Sequence, residues 1–278
     1  ASTYGITGNI TGTFTVSNGC TFTTTRTTDP TFPSNFTSSN IILGTTSTIN
    51  FSGAGSQTIP ATTFGNLTIG GSGTKSLSGN TIINGTLTIN TSNTLDVTTN
   101  NYNITLNGNF ACSGSLNAQA GTVTMNGITT ISGTTNPTFY NVTINSTAQV
   151  TIASGRTFTV SGSLLLKSDA ASTASLLPLG TATYNIAGQT TFERYLDGTG
   201  WHYFSSPLSN GSTNSFHNYF IKQYNENTAN YTNLYSNASF TTMRGYLAKK
   251  GTGASSTVHF TGAINIGNKN IALSYTGS

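Results

Sequence analysis

An internal repeat between residues 47 and 166 is the feature that most constrains how this chain folds. The first copy consists of STINFSG, FGNLTI and TIINGTLTI, at 47–53, 64–69 and 81–89. The second consists of GTVTMNG, FYNVTI and TFTVSGSLLL, at 121–127, 139–144 and 157–166. Asn66 then corresponds to Asn141 and Gly85 to Gly162, so the repeat is roughly 75 residues long. Such self-similarity is typical of stacked β-coils.

The local pattern inside the repeat predicts β-strands. Its apolar runs are short, rich in β-branched residues and bounded by Gly or Asn. Asn-Gly pairs at 84–85, 107–108 and 126–127 are expected at the corners between strands, where glycine tolerates a positive φ. A parallel β-solenoid with coils of about 20–30 residues accounts for the repeat. A sandwich of hairpins is the alternative.

The composition changes near Gly188 and predicts a second domain. All three histidines and the single tryptophan lie beyond this residue. Seven strand-like runs follow at sandwich spacing: 190–196, 201–205, 216–224, 231–235, 245–248, 257–261 and 271–275. The sequence therefore predicts an all-β chain, with a parallel β-solenoid over residues 1–188 and a smaller antiparallel β-sandwich over residues 189–278.

Both halves resemble one kind of bacterial surface protein. INFSG at 49–53, QTI at 57–59 and FGNLTI at 64–69 resemble repeats of large surface-exposed β-helix proteins of Bacteroidota, which use type IX secretion. The segments FERY, WHYFSSP, GYL and TVHFTG, beginning at residues 192, 201, 245 and 257, are similar to the sandwich module that follows in those proteins. The resemblance implies an extracellular or cell-surface location. Similar modules continue past the last Leu-x-Tyr strand, which implies an incomplete sandwich in a processed or partial product.

The low charge argues against several classes of partner. Only 6% of the residues are charged, and the net charge is +4. No cluster of Lys and Arg with interleaved aromatic residues suggests nucleic acid binding, and Lys249-Lys250 is expected in a solvated turn. No apolar stretch of about 18 residues suggests a membrane span. Thr and Asn side chains are expected to form ladders on the surface of the stack.

Little in the sequence suggests reaction chemistry, so we predict no enzyme, no metal site and no cofactor. A glycan-degrading β-helix enzyme needs paired carboxylates. Of the six acidic residues, only Glu193 and Asp197 are close in sequence, and we expect structural salt links between them and Arg194. The three histidines are too dispersed for a recognisable zinc motif.

Self-association is the leading functional hypothesis. A solenoid has open coil edges at its ends, and a sandwich without its last strands can accept a strand from a neighbour. Head-to-tail repetition of such a contact builds a fibre, so the chain is predicted to be a subunit of an extracellular filament or adhesin. The predicted donor residues are Ile6, Ile10, Phe14 and Val16, and the predicted acceptor edge is Ile271, Leu273 and Tyr275.

Three further possibilities come from particular side chains. Trp201, Tyr203 and Tyr231 are candidates for stacking on glycans, against the reading that these rings fill the sandwich core. Thr-x-Thr pairs at 86/88, 122/124 and 157/159 would bind ice if they aligned on one flat face. Cys20 and Cys112 either bridge two coils or are two small buried thiols.

Overall fold

The computed structural model describes residues 8–9, 11–198, 200–253, 255–266 and 269–270. It confirms the predicted fold class: a parallel β-solenoid is followed by an antiparallel β-structure. We number the strands β1–β29 along the chain. Helical structure in the described residues is limited to short 3-10 turns at Ser38–Asn40, Thr213–Ser215 and Glu226–Thr228. No helix in this part of the chain has the length and hydropathy needed to cross a bilayer.

The solenoid has three faces, and its coils run from face one to face two to face three. Face one contains β2 (Thr21–Thr24), β4 (Thr48–Phe51), β7 (Asn66–Ile69), β10 (Leu87–Ile89), β13 (Phe110–Cys112), β16 (Ile128–Gly133), β19 (Gln149–Ile152) and β22 (Ser175–Pro178). Face two contains β5 (Gln57–Ile59), β8 (Gly73–Leu77), β11 (Asn93–Asp96), β14 (Ser115–Asn117), β17 (Thr138–Phe139), β20 (Thr157–Val160) and β23 (Thr183–Ile186).

Face three contains β6 (Thr63–Phe64), β9 (Thr81–Ile83), β12 (Ile104–Leu106), β15 (Thr122–Met125), β18 (Asn141–Ile144), β21 (Ser163–Leu166) and β24 (Gln189–Leu196). The strand β29 (Ser256–Gly262) extends this face by antiparallel pairing with β24. At the N-terminal end, β1 (Phe14–Val16) and β3 (Ile41–Leu43) form a separate parallel pair.

The parallel register defines the length of each coil. Thr48 pairs with Asn66, which is 18 residues later, whereas Phe22 pairs with Ile49, which is 27 residues later. The sequence repeat is not a whole number of these coils. It carries β4 onto β15 and β7 onto β18, so that strands of face one correspond to strands of face three. The same short sequence pattern therefore builds different faces of one solenoid.

Period-two alternation explains why these segments are strands. In β4 the side chains of Ile49 and Phe51 are fully buried, and those of Thr48 and Asn50 face outwards. Full burial of each such apolar side chain stabilises the fold by about 1.5–3 kcal/mol. Phenylalanines add a column inside the solenoid, where the ring centroids of Phe110, Phe139 and Phe158 are 5.7 and 5.4 Å apart along the stack.

Asparagine side chains join successive coils, as the expected ladders require. Asn66 Oδ1 accepts a hydrogen bond from the backbone N–H of Thr86 (2.8 Å), and Asn141 Oδ1 accepts one from that of Ser163 (3.0 Å). Asn66 and Asn141 occupy the same position of the sequence repeat, so the repeat preserves this contact. Asn107 also donates from Nδ2 to Asn84 Oδ1 at 2.8 Å.

The Asn-Gly corners differ from the prediction. Gly85, Gly108 and Gly127 do not adopt a positive φ. Glycine is needed there because the coils approach closely: a Cβ on Gly108 would clash with the carbonyl oxygen of Gly85, and one on Gly127 with that of Asn107. The constraint at these corners is the space between coils, not the backbone angle.

The C-terminal region is joined to the solenoid through β24. This strand pairs in parallel with β21 and antiparallel with β29. A four-stranded antiparallel sheet follows, in the order β25 (His202–Phe204), β28 (Tyr246–Lys250), β26 (Tyr219–Asn225) and β27 (Asn230–Leu234). A second core, which includes Leu196, Ile221, Tyr246 and Phe260, lies between this sheet and the β24–β29 pair. The boundary at residue 189 stays a prediction, and the run 271–275 lies outside the described residues.

Cys20 and Cys112 do not form a disulfide, which is one of the two interpretations of the sequence. Both thiols are free; Cys20 is exposed and Cys112 is buried. Cys20 precedes β2 while Cys112 ends β13, and four strand spacings of about 4.8 Å separate these strands on face one. This exceeds the Cα separation of about 7 Å that a disulfide tolerates.

Candidate binding face

The outer surface of the four-stranded sheet carries aromatic and basic side chains. Along β26, Tyr219 and Ile221 pack into the second core. The alternating residues Phe220, Lys222 and Tyr224 therefore point to the opposite side. The side facing away from the second core is thus where this strand places Phe220, Lys222 and Tyr224.

The strand register brings matching residues of the other strands to the same side. Tyr203 pairs with Leu247, which also pairs with Lys222. Phe220 pairs with Lys249, and Tyr224 pairs with Tyr231. We call this surface the aromatic face, and it consists of Trp201, Tyr203, Phe220, Lys222, Tyr224, Tyr231, Leu247 and Lys249.

The aromatic rings of this face are exposed. The exposed fraction ranges from 39% for Tyr231 to 76% for Tyr203. The expectation that Trp201, Tyr203 and Tyr231 fill the sandwich core is therefore wrong: the core is filled by other rings, including Phe204, Phe216 and Phe240. The role of Trp201, Tyr203 and Tyr231 in glycan stacking stays a prediction, and their exposure is compatible with it.

Two lysines flank the single tryptophan. Lys222 Nζ lies 5.1 Å from the centroid of the Trp201 ring, and Lys249 Nζ lies 5.9 Å from it. Both distances are within the range of cation–π attraction. The expectation that Lys249-Lys250 forms a turn is wrong, because both residues belong to β28. The four strands of the sheet contain no carboxylate, and Glu226 lies in the turn after β26.

The tyrosines of the face contact one another. The rings of Tyr224 and Tyr231 meet edge to face with their centroids 5.2 Å apart. A hydrogen bond with Tyr203 is the main cause that raises the pKa of Tyr231, with smaller contributions from desolvation and from the charges of Tyr203 and Tyr224. The three tyrosines therefore form one connected group on this face.

Polar groups border the rings on the β26–β27 hairpin. Asn233, which pairs with Lys222, is exposed on β27 and lies on the same side of the sheet as the rings. The Arg244 guanidinium donates a 2.8 Å hydrogen bond to the carbonyl oxygen of Tyr224, which places a third positive charge beside this hairpin. The face therefore combines flat apolar rings, neutral amide and hydroxyl groups, and positive charge.

Two of the three acidic residues of the C-terminal region, Glu193 and Asp197, have structural partners. Glu193 Oε1 lies 3.8 Å from His259 Nδ1, and Glu193 Oε2 accepts a 3.2 Å hydrogen bond from the Ser168 backbone. Asp197 Oδ1 lies 3.0 Å from His202 Nε2. The expected partner Arg194 instead donates to Thr173 Oγ1 at 3.2 Å.

None of three clefts among the described residues is lined by two carboxylates. One, of about 440 Å³, is lined by His217, Lys250 and His259. A cleft of about 290 Å³ beside β24 is lined by Glu193, with no second carboxylate. Another, of about 470 Å³, is lined by Asp29, Phe32 and prolines near the N-terminal end. Among the described residues, no three His, Cys, Asp or Glu side chains are grouped so that they could hold a metal ion.

Of the residues predicted for self-assembly, the structure describes Phe14 and Val16. Val16 is buried in the solenoid core, and Phe14 packs edge to face against Phe22 and Phe32. A donor role for this segment would require β1 to leave its own parallel pairing with β3. Ile6, Ile10, Ile271, Leu273 and Tyr275 lie outside the described residues.

The threonine pairs considered for ice binding do not share a surface. Thr88 is on β10 of face one, Thr124 is on β15 of face three, and Thr157 is on β20 of face two. The alignment that this hypothesis required is therefore absent for these pairs.

Sequence reasoning missed Phe220, Lys222 and Lys249. The signal was present as the alternation in YFIKQYN at 219–225, where Phe, Lys and Tyr occur at every second position. Its orientation was ambiguous, because the intervening positions also hold large apolar residues, Tyr219 and Ile221. Comparisons with family models, curated proteins and solved structures give no match for this chain.

Proposed function

We propose that this chain is an extracellular or cell-surface protein that binds carbohydrate on its aromatic face and uses the solenoid as a rigid spacer. The observation that carries the proposal is the set of exposed rings on one side of a single sheet, Trp201, Tyr203, Phe220, Tyr224 and Tyr231. A sheet surface of this kind is preorganised, so little side-chain and backbone entropy is lost on binding.

The chemistry of the face fits a sugar chain. Pyranose rings present apolar C–H faces that stack on aromatic rings, and hydroxyl groups that bond to amides and phenols. The large aliphatic side chain on this face, Leu247, is 7% exposed. The apolar surface that the face presents is therefore mainly aromatic, as stacking on sugar rings requires.

The solenoid supports the proposed setting. Its outward positions are mostly Thr, Ser and Asn, which give a hydrated and nearly uncharged rod. Such a rod separates the C-terminal sheet from a surface to which the N-terminal end of the solenoid is attached. The resemblance to Bacteroidota surface proteins supports the same location.

A polysaccharide microarray tests the proposal. We expect the purified chain to bind a subset of polysaccharides, and the double variant Trp201→Ala/Tyr203→Ala to lose at least about fivefold in affinity, since stacked rings contribute about 0.5–1.5 kcal/mol each. Tyr140→Ala removes an exposed tyrosine from the solenoid and is the matched control. Equal binding by all three proteins, or binding by none, contradicts the proposal.

Self-association of copies is a second candidate, favoured by the ends of face one. Among the described residues, β2 pairs with β4 alone and β22 pairs with β19 alone, so each end of this sheet has an edge that can accept a strand. Leu177 in β22 and Leu179 directly after this strand are exposed. We expect Leu177→Lys/Leu179→Lys to reduce oligomers in sedimentation velocity, whereas Ile128→Lys, on an inner strand of the same face, leaves them unchanged. Monomeric wild-type protein contradicts this candidate.

A further inference from the structure

The charges around Trp201 indicate what kind of carbohydrate the aromatic face binds. We propose, building on the function proposed above, that the ligand is an anionic polysaccharide whose carboxylate or sulfate groups are bound by Lys222 and Lys249. The two lysines come from neighbouring strands, and both ammonium groups lie within 6 Å of the same ring centroid, at 5.1 and 5.9 Å. When a sugar stacks on Trp201, one carboxylate or sulfate group of that sugar would lie within reach of both ammonium groups.

The surroundings leave these positive charges without a carboxylate on their own sheet. No Asp or Glu occurs in β25, β26, β27 or β28. Asp197, which precedes β25, contacts His202 at 3.0 Å. Glu226 is in the turn beyond β26, and the Arg244 guanidinium adds positive charge beside Tyr224. The potential over the aromatic face is therefore positive and complementary to an anionic chain.

The contact with the ring does not prevent the lysines from binding an anion. An exposed cation–π contact is weaker than a hydrogen bond to a charged group. Trp201 also remains 42% exposed while it contacts both lysines. An arriving carboxylate or sulfate can thus pair with the ammonium groups while the sugar ring stacks on the exposed part of the indole.

Matched pairs of polysaccharides test the proposal in affinity electrophoresis or biolayer interferometry with the full chain. Polygalacturonate is compared with its methyl ester, which removes the carboxylate charge, and dextran sulfate with dextran. We expect the charged member of at least one pair to bind more tightly than the neutral member, and its affinity to fall as salt rises. The pair that responds distinguishes a carboxylate from a sulfate ligand.

Charge variants separate a specific site from general attraction to a protein with net charge +4. Lys222→Gln/Lys249→Gln should lower affinity for the anionic polymer about tenfold at low salt. Arg156→Gln/Lys167→Gln removes the same charge from the solenoid and should change affinity less than twofold. Equal losses in the two double variants overturn the proposal.

The outcomes also separate this inference from the function on which it rests. Equal, salt-independent binding of charged and neutral polymers, lost in Trp201→Ala/Tyr203→Ala, overturns the anionic ligand and leaves carbohydrate binding standing. No binding to any polymer overturns both.

Discussion

The solenoid and the four-stranded sheet obey the same alternation but use their outward positions in opposite ways. On face three, Thr105, Thr124 and Thr143 follow one another in register on successive strands and point outwards. On the C-terminal sheet, the outward positions hold rings and lysines, among them Tyr203, Phe220 and Lys222. One region covers its surface with small hydrogen-bonding groups, and the other exposes large apolar ones.

The two regions differ because stacked coils and an interaction surface require different outward-facing side chains. Coils repeat at a spacing of about 4.8 Å, so an outward residue must fit beside identical neighbours, which small Thr and Asn side chains do. Exposed clusters of large apolar side chains on a soluble protein usually mark an interaction surface. The comparison therefore supports the proposal that the solenoid provides rigidity and the sheet provides recognition.

The largest expected effect on stability comes from replacing phenylalanine with alanine, and we compare this change in the solenoid core and on the aromatic face. Phe139→Ala removes a ring that is 1% exposed and packed between Phe110 and Phe158. We expect it to lower the free energy of unfolding by about 3–5 kcal/mol. Phe220→Ala removes a ring that is 61% exposed on the aromatic face, and we expect a change within about 0.5 kcal/mol.

Urea unfolding followed by circular dichroism measures both values. If Phe220→Ala destabilises the protein as much as Phe139→Ala, the aromatic face is part of the packing, and its assignment to recognition fails.

A smaller effect on stability is expected when a lysine is replaced by methionine, and we compare a buried lysine of the solenoid with a lysine of the aromatic face. Lys75 is fully buried in face two, where its Nζ donates to the carbonyl oxygens of Gly53, Gly55 and Ser72 at 2.9, 2.7 and 2.6 Å. Lys75→Met leaves these acceptors without their donor and should cost about 1–3 kcal/mol in urea unfolding. Lys249→Met, on the aromatic face, should be nearly neutral, and a larger loss there than at Lys75 would contradict the comparison.

The smallest expected effect is a pH dependence from Lys75. Burial lowers the pKa of Lys75 below its ordinary value of 10.5. Between the folded and unfolded pKa values, the unfolded chain binds more protons than the folded chain, so this lysine makes the free energy of unfolding rise with pH. The difference between wild type and Lys75→Met should show this rise as pH approaches 10.5. A difference that falls over the same interval would show that the carbonyl contacts outweigh burial.

Much of the fold could be predicted because it depends on local pattern. The short β-branched runs, the glycine corners and the 75-residue repeat all specify stacked strands, and Asn66 and Asn141 even preserve the same contact between coils. The reason for glycine at 85, 108 and 127 could not be predicted. It depends on how closely neighbouring coils approach, which the sequence of one coil does not reveal.

The site was only partly predictable, because it depends on which side of a sheet faces the core. Trp201, Tyr203 and Tyr231 were identifiable as aromatic residues, but burial and exposure were equally compatible with their types. In YFIKQYN, Tyr219 packs inwards while Phe220 points outwards. The β24–β29 pair, formed by strands far apart in sequence, covers one side of the sheet and so decides this orientation.

The fluorescence of Trp201 tests the central claim most directly, since it is the only tryptophan in the chain and lies on the aromatic face. Titration with polysaccharides that bind on the microarray should give a saturable change in its emission, with a midpoint that matches the affinity measured independently. Saturable binding that leaves the emission unchanged would place the ligand elsewhere on the molecule and contradict the division between an inert solenoid and a recognising sheet.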